Sequence, residues 1–370
     1  MLLTWKRAVI AIAAMGVAGM LFAWSGLFNV AASVPHFAVT NWFLHWVMQN
    51  SVWTYSVGTE VPDLSDPAML YPGAGHYESG CASCHGAPGQ AQSPVVAGMS
   101  PPPPYFPEAM DDWSEAELAW IVQHGVKFSG MPPWPAHAER ADEVWPVVAF
   151  LRELPGMSPE RYRDLAFGPA ADQALRADLD PGFQATLADC ARCHEADGSG
   201  RGAFVPIIAG QKEGYLKATL RAYADGTRHS GMMQPAANDA GAEMRDRLAA
   251  HYASQPPVRT DAPVAADEAS LERGRTLAER GRPQDGIPPC LSCHAPTAGR
   301  DPAFPILDGQ HARYLEQQLH LFHDGARGGT PYAHLMTGVT RRMTPEDMAG
   351  VAAYFASRPV PENVAETTID

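Results

Sequence analysis

Cys81-Ala82-Ser83-Cys84-His85, Cys190-Ala191-Arg192-Cys193-His194 and Cys290-Leu291-Ser292-Cys293-His294 repeat one pattern and use up all six cysteines of the chain. C-x-x-C-H is the attachment signature of c-type haem. Its spacing has a mechanical reason. One helical turn separates the two sulfurs, which bond to the porphyrin vinyl groups. The histidine follows at once, so that a neutral imidazole reaches the iron. C-x-x-C pairs also build zinc knuckles and thioredoxin-like redox motifs. A zinc site needs two further ligands per pair at zinc-like spacing, and none is evident. A redox pair, or a structural disulfide of an exported protein, needs no trailing histidine, least of all three times. The expected cofactors are three covalent haem c groups, held by Cys81, Cys84 and His85, by Cys190, Cys193 and His194, and by Cys290, Cys293 and His294.

The elements that must position these groups follow from size and periodicity. The patterns lie about 100 residues apart in 370 residues, which implies three small domains. A domain of that size is marginal on its own apolar core, and a buried haem supplies an apolar centre. The 34 Pro and 33 Gly with 46% hydrophobic residues describe a loop-rich folded chain. A helix is expected before each haem pattern, most clearly over Ser270–Arg280, and an amphipathic helix closes each domain, over Asp142–Leu154, Ala242–Ser254 and Pro345–Ser357. Thr344-Pro345-Glu346-Asp347 is an N-cap followed by proline and acids in the first turn. Strand signals are weak throughout.

At the N-terminus, Trp5-Lys6-Arg7 precedes an uncharged run from Ala8 to Phe28, long enough to span a bilayer. The positive pair keeps the N-terminus cytoplasmic, so the haem domains fall in the periplasm of a bacterial inner membrane. Val30-Ala31-Ala32 resembles a signal-peptide cleavage site, but the length of the apolar run favours a retained anchor. Residues 37–55 carry Trp42, Trp46 and Trp53 among Asn41, His45, Gln49 and Asn50. Such a stretch suits an interfacial or partner-docking helix, or a helix packed on the first haem domain.

After each haem pattern comes a Pro-apolar-apolar-x-Gly element, beginning at Pro94, Pro206 and Pro305. The second and third repeats then run in parallel: Gly210-Gln211 through Tyr215-Leu216 matches Gly309-Gln310 through Tyr314-Leu315, and Asp225-Gly226-Thr227-Arg228 matches Asp324-Gly325-Ala326-Arg327. On these residues the chain, from about residue 70 on, resembles the class I cytochromes c, and its second and third repeats together resemble the dihaem cytochrome c4 family. The resemblance implies a mainly α architecture: a transmembrane helix and three small class I cytochrome c domains, each a few helices wrapped on one haem. The expected boundaries are an anchor at 1–28, an interfacial or linker segment at 29–70, domains at 71–156, 181–258 and 268–361, and linkers at 157–180 and 259–267.

The resemblance also implies that a proline carbonyl orients each axial histidine, a role it assigns to Pro94, Pro206 and Pro305. Physically, each proline is equally a turn former. It further implies a distal Met ligand, which raises the reduction potential. Ser129-Gly130-Met131-Pro132-Pro133-Trp134 is similar to the family's distal loop and nominates Met131. Aligning Ala249-Ala250 with Ala352-Ala353, an offset of 103, carries Met233 onto Met336. Met233 is therefore preferred to Met232, and Met336 to Met343. The iron ligands expected are His85 with Met131, His194 with Met233 and His294 with Met336. His229 and His334 are minor alternatives.

Three irons ligated on both sides suit electron transfer, since substrate chemistry needs an open coordination position. The expectation is a membrane-anchored trihaem carrier that passes electrons towards a soluble cytochrome or a terminal oxidase. The alternative is an electron-accepting subunit of a periplasmic alcohol, aldehyde or sugar-acid dehydrogenase complex. Known subunits of that kind tend to be anchored at the C-terminus. A peroxidase-like enzyme would require one haem without its Met. The net charge of −14 argues against nucleic acid and for a basic face on the redox partner. The Pro101–Pro104 run reads as a stiff surface loop.

Overall fold

A computed structural model of the chain describes residues 4–31, 33–108, 110, 113–136, 140–168, 180–260, 264–296 and 300–360. Ala32 of the candidate cleavage site, 169–179 and 261–263 of the two linkers, and the end of the third domain at 361 lie outside the described residues. Among the described residues the fold is helical, and β pairing is limited to two isolated bridges, Ala87–Gln90 and Arg282–Ile287.

Helix α1 (Trp5–Trp24) buries none of its residues. It stops at Ser25-Gly26, four residues before the apolar run ends. It is long and apolar enough to cross a membrane by length and composition. Helix α2 (Ala38–Ser56) is exposed over its Trp42-Phe43-Leu44 half, while its C-terminal end docks on the first core. There Val52 is fully buried and Tyr55 stacks on Trp120 at 6.0 Å. The reading of this stretch as a helix packed on the first domain therefore holds for its C-terminal end.

Three separate cores follow. The first is built by α3 (Leu70–His76), α4 (Glu115–His124), α5 (Val144–Glu153) and α6 (Pro159–Phe167) around Tyr77, Val147, Phe150 and Leu154. Side chains of this kind contribute about 1.5–3 kcal/mol each when fully buried. Two of the expected boundaries do not match this core. Helix α6, in the segment read as linker 157–180, buries Tyr162, Leu165 and Ala166 in it, and Met69 and Leu70 join it from the segment read as 29–70. Proline and charge around 159–164 mimic a linker because only one stripe of a nine-residue helix faces inward.

The second core gathers Phe183, Leu187, Leu216, Leu248, Ala249 and Tyr252 from α7 (Pro181–His194), α8 (Glu213–Ala224) and α9 (Met233–Ala253), the last kinked at Gly241. The third joins α10 (Glu268–Glu279), α11 (Ala312–His323), α12 (Ala333–Thr340) and α13 (Pro345–Ser357) around Leu277, Leu315, Met348, Val351 and Phe355. Side-chain caps from Asp180, Asp267 and Thr344 set the starts of α7, α10 and α13. Thr344 and Asp347 form a reciprocal box, with Asp347 N–H donating to Thr344 Oγ1 at 3.2 Å and Thr344 N–H donating to Asp347 Oδ2 at 3.0 Å. Glycine lets helices of the outer units cross closely, α3 on α5 in the first and α10 on α13 in the third: a Cβ on Gly73 would clash with Pro146 O, and one on Gly274 with Gly350 O.

Candidate haem site

Each C-x-x-C-H motif forms or ends a helical segment: Ala82–His85, the last turn of α7, and Leu291–His294. The helical turn brings each pair of sulfurs to one side and leaves the histidine at the terminus. All six thiols are free. Burial pushes Cys81 and Cys190 up to about 12 and Cys193 and Cys290 up to about 11. At neutral pH these are protonated thiols, unsuited to the thiolate chemistry of a redox C-x-x-C.

The three histidines share one hydrogen bond. His85 Nδ1 lies 3.0 Å from Pro104 O, His194 Nδ1 3.2 Å from Pro206 O, and His294 Nδ1 3.0 Å from Pro305 O. A carbonyl only accepts, so Nδ1 carries the proton and Nε2 keeps its lone pair for a metal. Burial holds all three imidazoles below the ordinary histidine range, hence neutral at pH 7. His194 and His294 are 8% and 7% exposed, and His85 is half-buried.

Pro206 and Pro305 thus stand where the repeat comparison put them, but Pro94 does not. It begins a short separate turn, Pro94–Ala97, capped by Ser93. The last residue of the four-proline run, Pro104, provides the carbonyl instead. The first repeat carries a longer insert, 19 residues from His85 to its partner against 12 and 11 in the others. The run read as a surface loop is therefore part of the site. Its stiffness fixes a carbonyl that no regular element holds.

The distal candidates differ in setting. Met131 is half-buried on a loop folded back against α4, with Val126 N–H donating to Met131 O at 3.2 Å and Trp134 N–H to Gln123 O at 3.0 Å. Met233 opens α9 and is half-buried, whereas its neighbour Met232 packs against the first core. Met336 is half-buried on α12, whereas Met343 is 7% exposed inside the third core. His334 is exposed, and His229 gives its carbonyl to Arg140.

Several residues escaped the sequence reading. Gln211 and Gln310 cross between the second and third units. Gln211 accepts from Ile306 N–H at 2.9 Å and donates to Ile306 O at 3.0 Å, while Gln310 accepts from Ile207 N–H at 3.0 Å and donates to Ile207 O at 2.8 Å. The signal was present, since both belong to the matched Gly-Gln element, yet a repeated polar residue does not announce its partner. Arg228 is 3% exposed, and among the described residues its bonds go to neutral oxygens, on Thr219, Gln318 and Tyr215. Arg327 likewise reaches Gln318 and Tyr215. A buried guanidinium without a carboxylate is unbalanced, and the acidic propionates of a haem suit it.

Free thiols on one helical turn, a tautomer-fixed neutral imidazole and one buried arginine, Arg228, with no carboxylate partner among the described residues fit haem c. Bound there, haem c supplies a one-electron iron couple.

Comparison with known proteins agrees. The cytochrome c family model matches residues 179–252 and 271–359, and that of cytochrome c oxidase, cbb3-type, subunit III matches 68–151. A thiosulfate dehydrogenase electron acceptor of Thiomonas intermedia is 39% identical over 47% of this chain and 80% of its own length. One from Stutzerimonas stutzeri is 36% identical over 45% and 78%. Cytochrome c4 of Azotobacter vinelandii is 33% identical over 46% and 85%. The chain belongs to the class I c-type cytochromes and is related to the dihaem cytochromes c4. It is an electron-transfer protein carrying covalent haem c.

Proposed function

We propose that the chain is a membrane-anchored trihaem cytochrome that carries electrons in the periplasm from a dehydrogenase towards a soluble cytochrome or a terminal oxidase. The observation that carries this reading is the threefold recurrence of one site, with a C-x-x-C-H turn, a proline carbonyl on Nδ1 and a separate core at each copy. His85 with Met131, His194 with Met233 and His294 with Met336 are the proposed axial pairs. The core position of Met343 and the turning of Met232 into the first core support the choice of their neighbours.

The two halves of the chain suggest a direction. The thiosulfate dehydrogenase acceptors among its relatives favour electron entry from an oxidising enzyme of that type over the alcohol, aldehyde or sugar-acid enzymes first considered. The resemblance of 68–151 to an oxidase subunit favours exit from the first domain. Helix α1 serves as a retained anchor with the N-terminus cytoplasmic, and the exposed tryptophans of α2 rest at the membrane–water boundary.

Haem determination per polypeptide, with fractionation and affinity purification from membranes, tests the proposal. Three haems per chain in the membrane fraction, with an oxidase copurifying, is the expected result. A chain released by salt, or one holding two haems, overturns it. A stoichiometric dehydrogenase in the eluate identifies the subunit reading, which the named acceptor relatives support.

A further inference from the structure

The distal segment of the second unit is held by the first unit. Four successive residues are engaged. Arg140 Nη1 donates to His229 O at 3.0 Å. Ser230 Oγ donates to Glu143 Oε1 at 2.6 Å, and Gly231 N–H to Glu143 Oε2 at 2.5 Å. The Met232 side chain packs into the first core. Trp134 seals the contact. A Cβ on Gly231 would stand 1.9 Å from Trp134 Nε1, so only glycine admits the indole. The same ring packs against that of His76, with centroids 4.4 Å apart.

The groups are deeply buried: Ser230 is 1% exposed, Trp134 4%, and Arg140 and Glu143 8% each. Arg140 Nη2 pairs with Glu143 Oε1 at 2.7 Å. A buried ion pair contributes little net stability, because desolvation offsets the attraction, and its best-attested use is to fix register. Register matters here. The same Ser230 hydroxyl that donates to Glu143 accepts from Met233 N–H at 2.9 Å. One residue of slip would exchange Met232 and Met233.

We propose that the first domain holds the second haem's axial methionine in place through the chain Glu143–Ser230–Met233, with Arg140 and Trp134 as positioning residues. The inference rests on the reading of Met233 as that ligand. Ligation of the second haem then depends on docking of the first domain against 229–232.

The test uses the full-length holoprotein and follows the Met–iron charge-transfer band and the midpoint potential of each haem in Met233→Ala, Glu143→Ala and Ser230→Ala. Ser230→Ala removes one hydroxyl and leaves the ion pair, so it reports even if Glu143→Ala does not fold. Supporting results are a weakened band and a lowered potential at the second haem alone in Ser230→Ala. Removing a buried carboxylate acts electrostatically in the opposite sense, raising the potential, so a lowered value in Glu143→Ala reports lost ligation. If Met233→Ala abolishes one band while both other variants keep it, the clamp is overturned and the ligand stands. If Met233→Ala leaves every band in place, the ligand reading fails and the clamp with it.

Discussion

Gln211 and Gln310 make the same contact in opposite directions: each amide closes two hydrogen bonds, 2.8–3.0 Å long, on the peptide one residue beyond the other unit's histidine-locking proline. Ile306 follows Pro305, and Ile207 follows Pro206. The peptide that orients one imidazole is thus braced by the neighbouring unit. Two histidine sites far apart in sequence share one rigid joint.

Replacing either glutamine by alanine leaves a buried N–H and C=O without partners, at a cost of about 1–3 kcal/mol. Gln310→Ala is expected to disturb the potential of the His194 haem and Gln211→Ala that of the His294 haem. Spectroelectrochemical titration checks this crossed pattern, and an effect confined to each residue's own unit would refute it.

Met336 and Met343 make opposite predictions. Met343→Ala opens a cavity in the third core and should cost about 2–5 kcal/mol, with the ligand-sensitive spectrum intact. Met336→Ala should lower one potential and leave thermal stability nearer its starting value. Calorimetry beside a redox titration separates the two.

The first site depends on Pro104. Substituting Pro104 by glycine frees the backbone that presents its carbonyl to His85 and should lower or broaden the potential of that haem alone. Pro94→Ala should leave it unchanged, since Pro94 lies outside the contact. Equal effects from both variants would show that the insert acts only as a loop.

Acid should weaken the third unit through Asp347. This carboxylate is buried, which alone would raise its pKa. The Arg282 fork at 2.7 and 3.1 Å and the Thr344 N–H prevail and hold it below the ordinary range. A depressed carboxylate contributes stability above its unfolded pKa of about 3.9 and loses it as pH falls through the folded value. Thermal unfolding of Asp347→Asn should therefore fall short of the parent at pH 7, and the gap should close as pH falls below the unfolded carboxylate pKa and through the depressed folded value.

Partner reactions should slow with salt. The net charge of −14 favours a basic docking face, and screening shortens its reach to about 8 Å near 0.15 M ionic strength. Stopped-flow rates with a basic cytochrome that are flat between low and high salt would remove this expectation.

Local features were legible in the residues themselves. The C-x-x-C-H turns, the Thr344–Asp347 cap and α13 at Pro345–Ser357 all depend on contacts within one or two turns of chain. Their spacing alone specifies them. Helix α6 was not legible, because its proline start and charged outer stripe read as a linker until Tyr162 and Leu165 met the first core.

By itself the sequence determined the cofactor chemistry, the three repeats and the matched second and third sites, since covalent attachment and helical periodicity are written over a few residues. Only the tertiary structure decided that Pro104 and not Pro94 meets His85, that Met343 is core, and that Arg140, Glu143 and Trp134 of one unit grip 229–232 of the next. Each of these joins segments separated by many residues. Such contacts are selected by burial and by the need to pair buried polar groups, which no local pattern records.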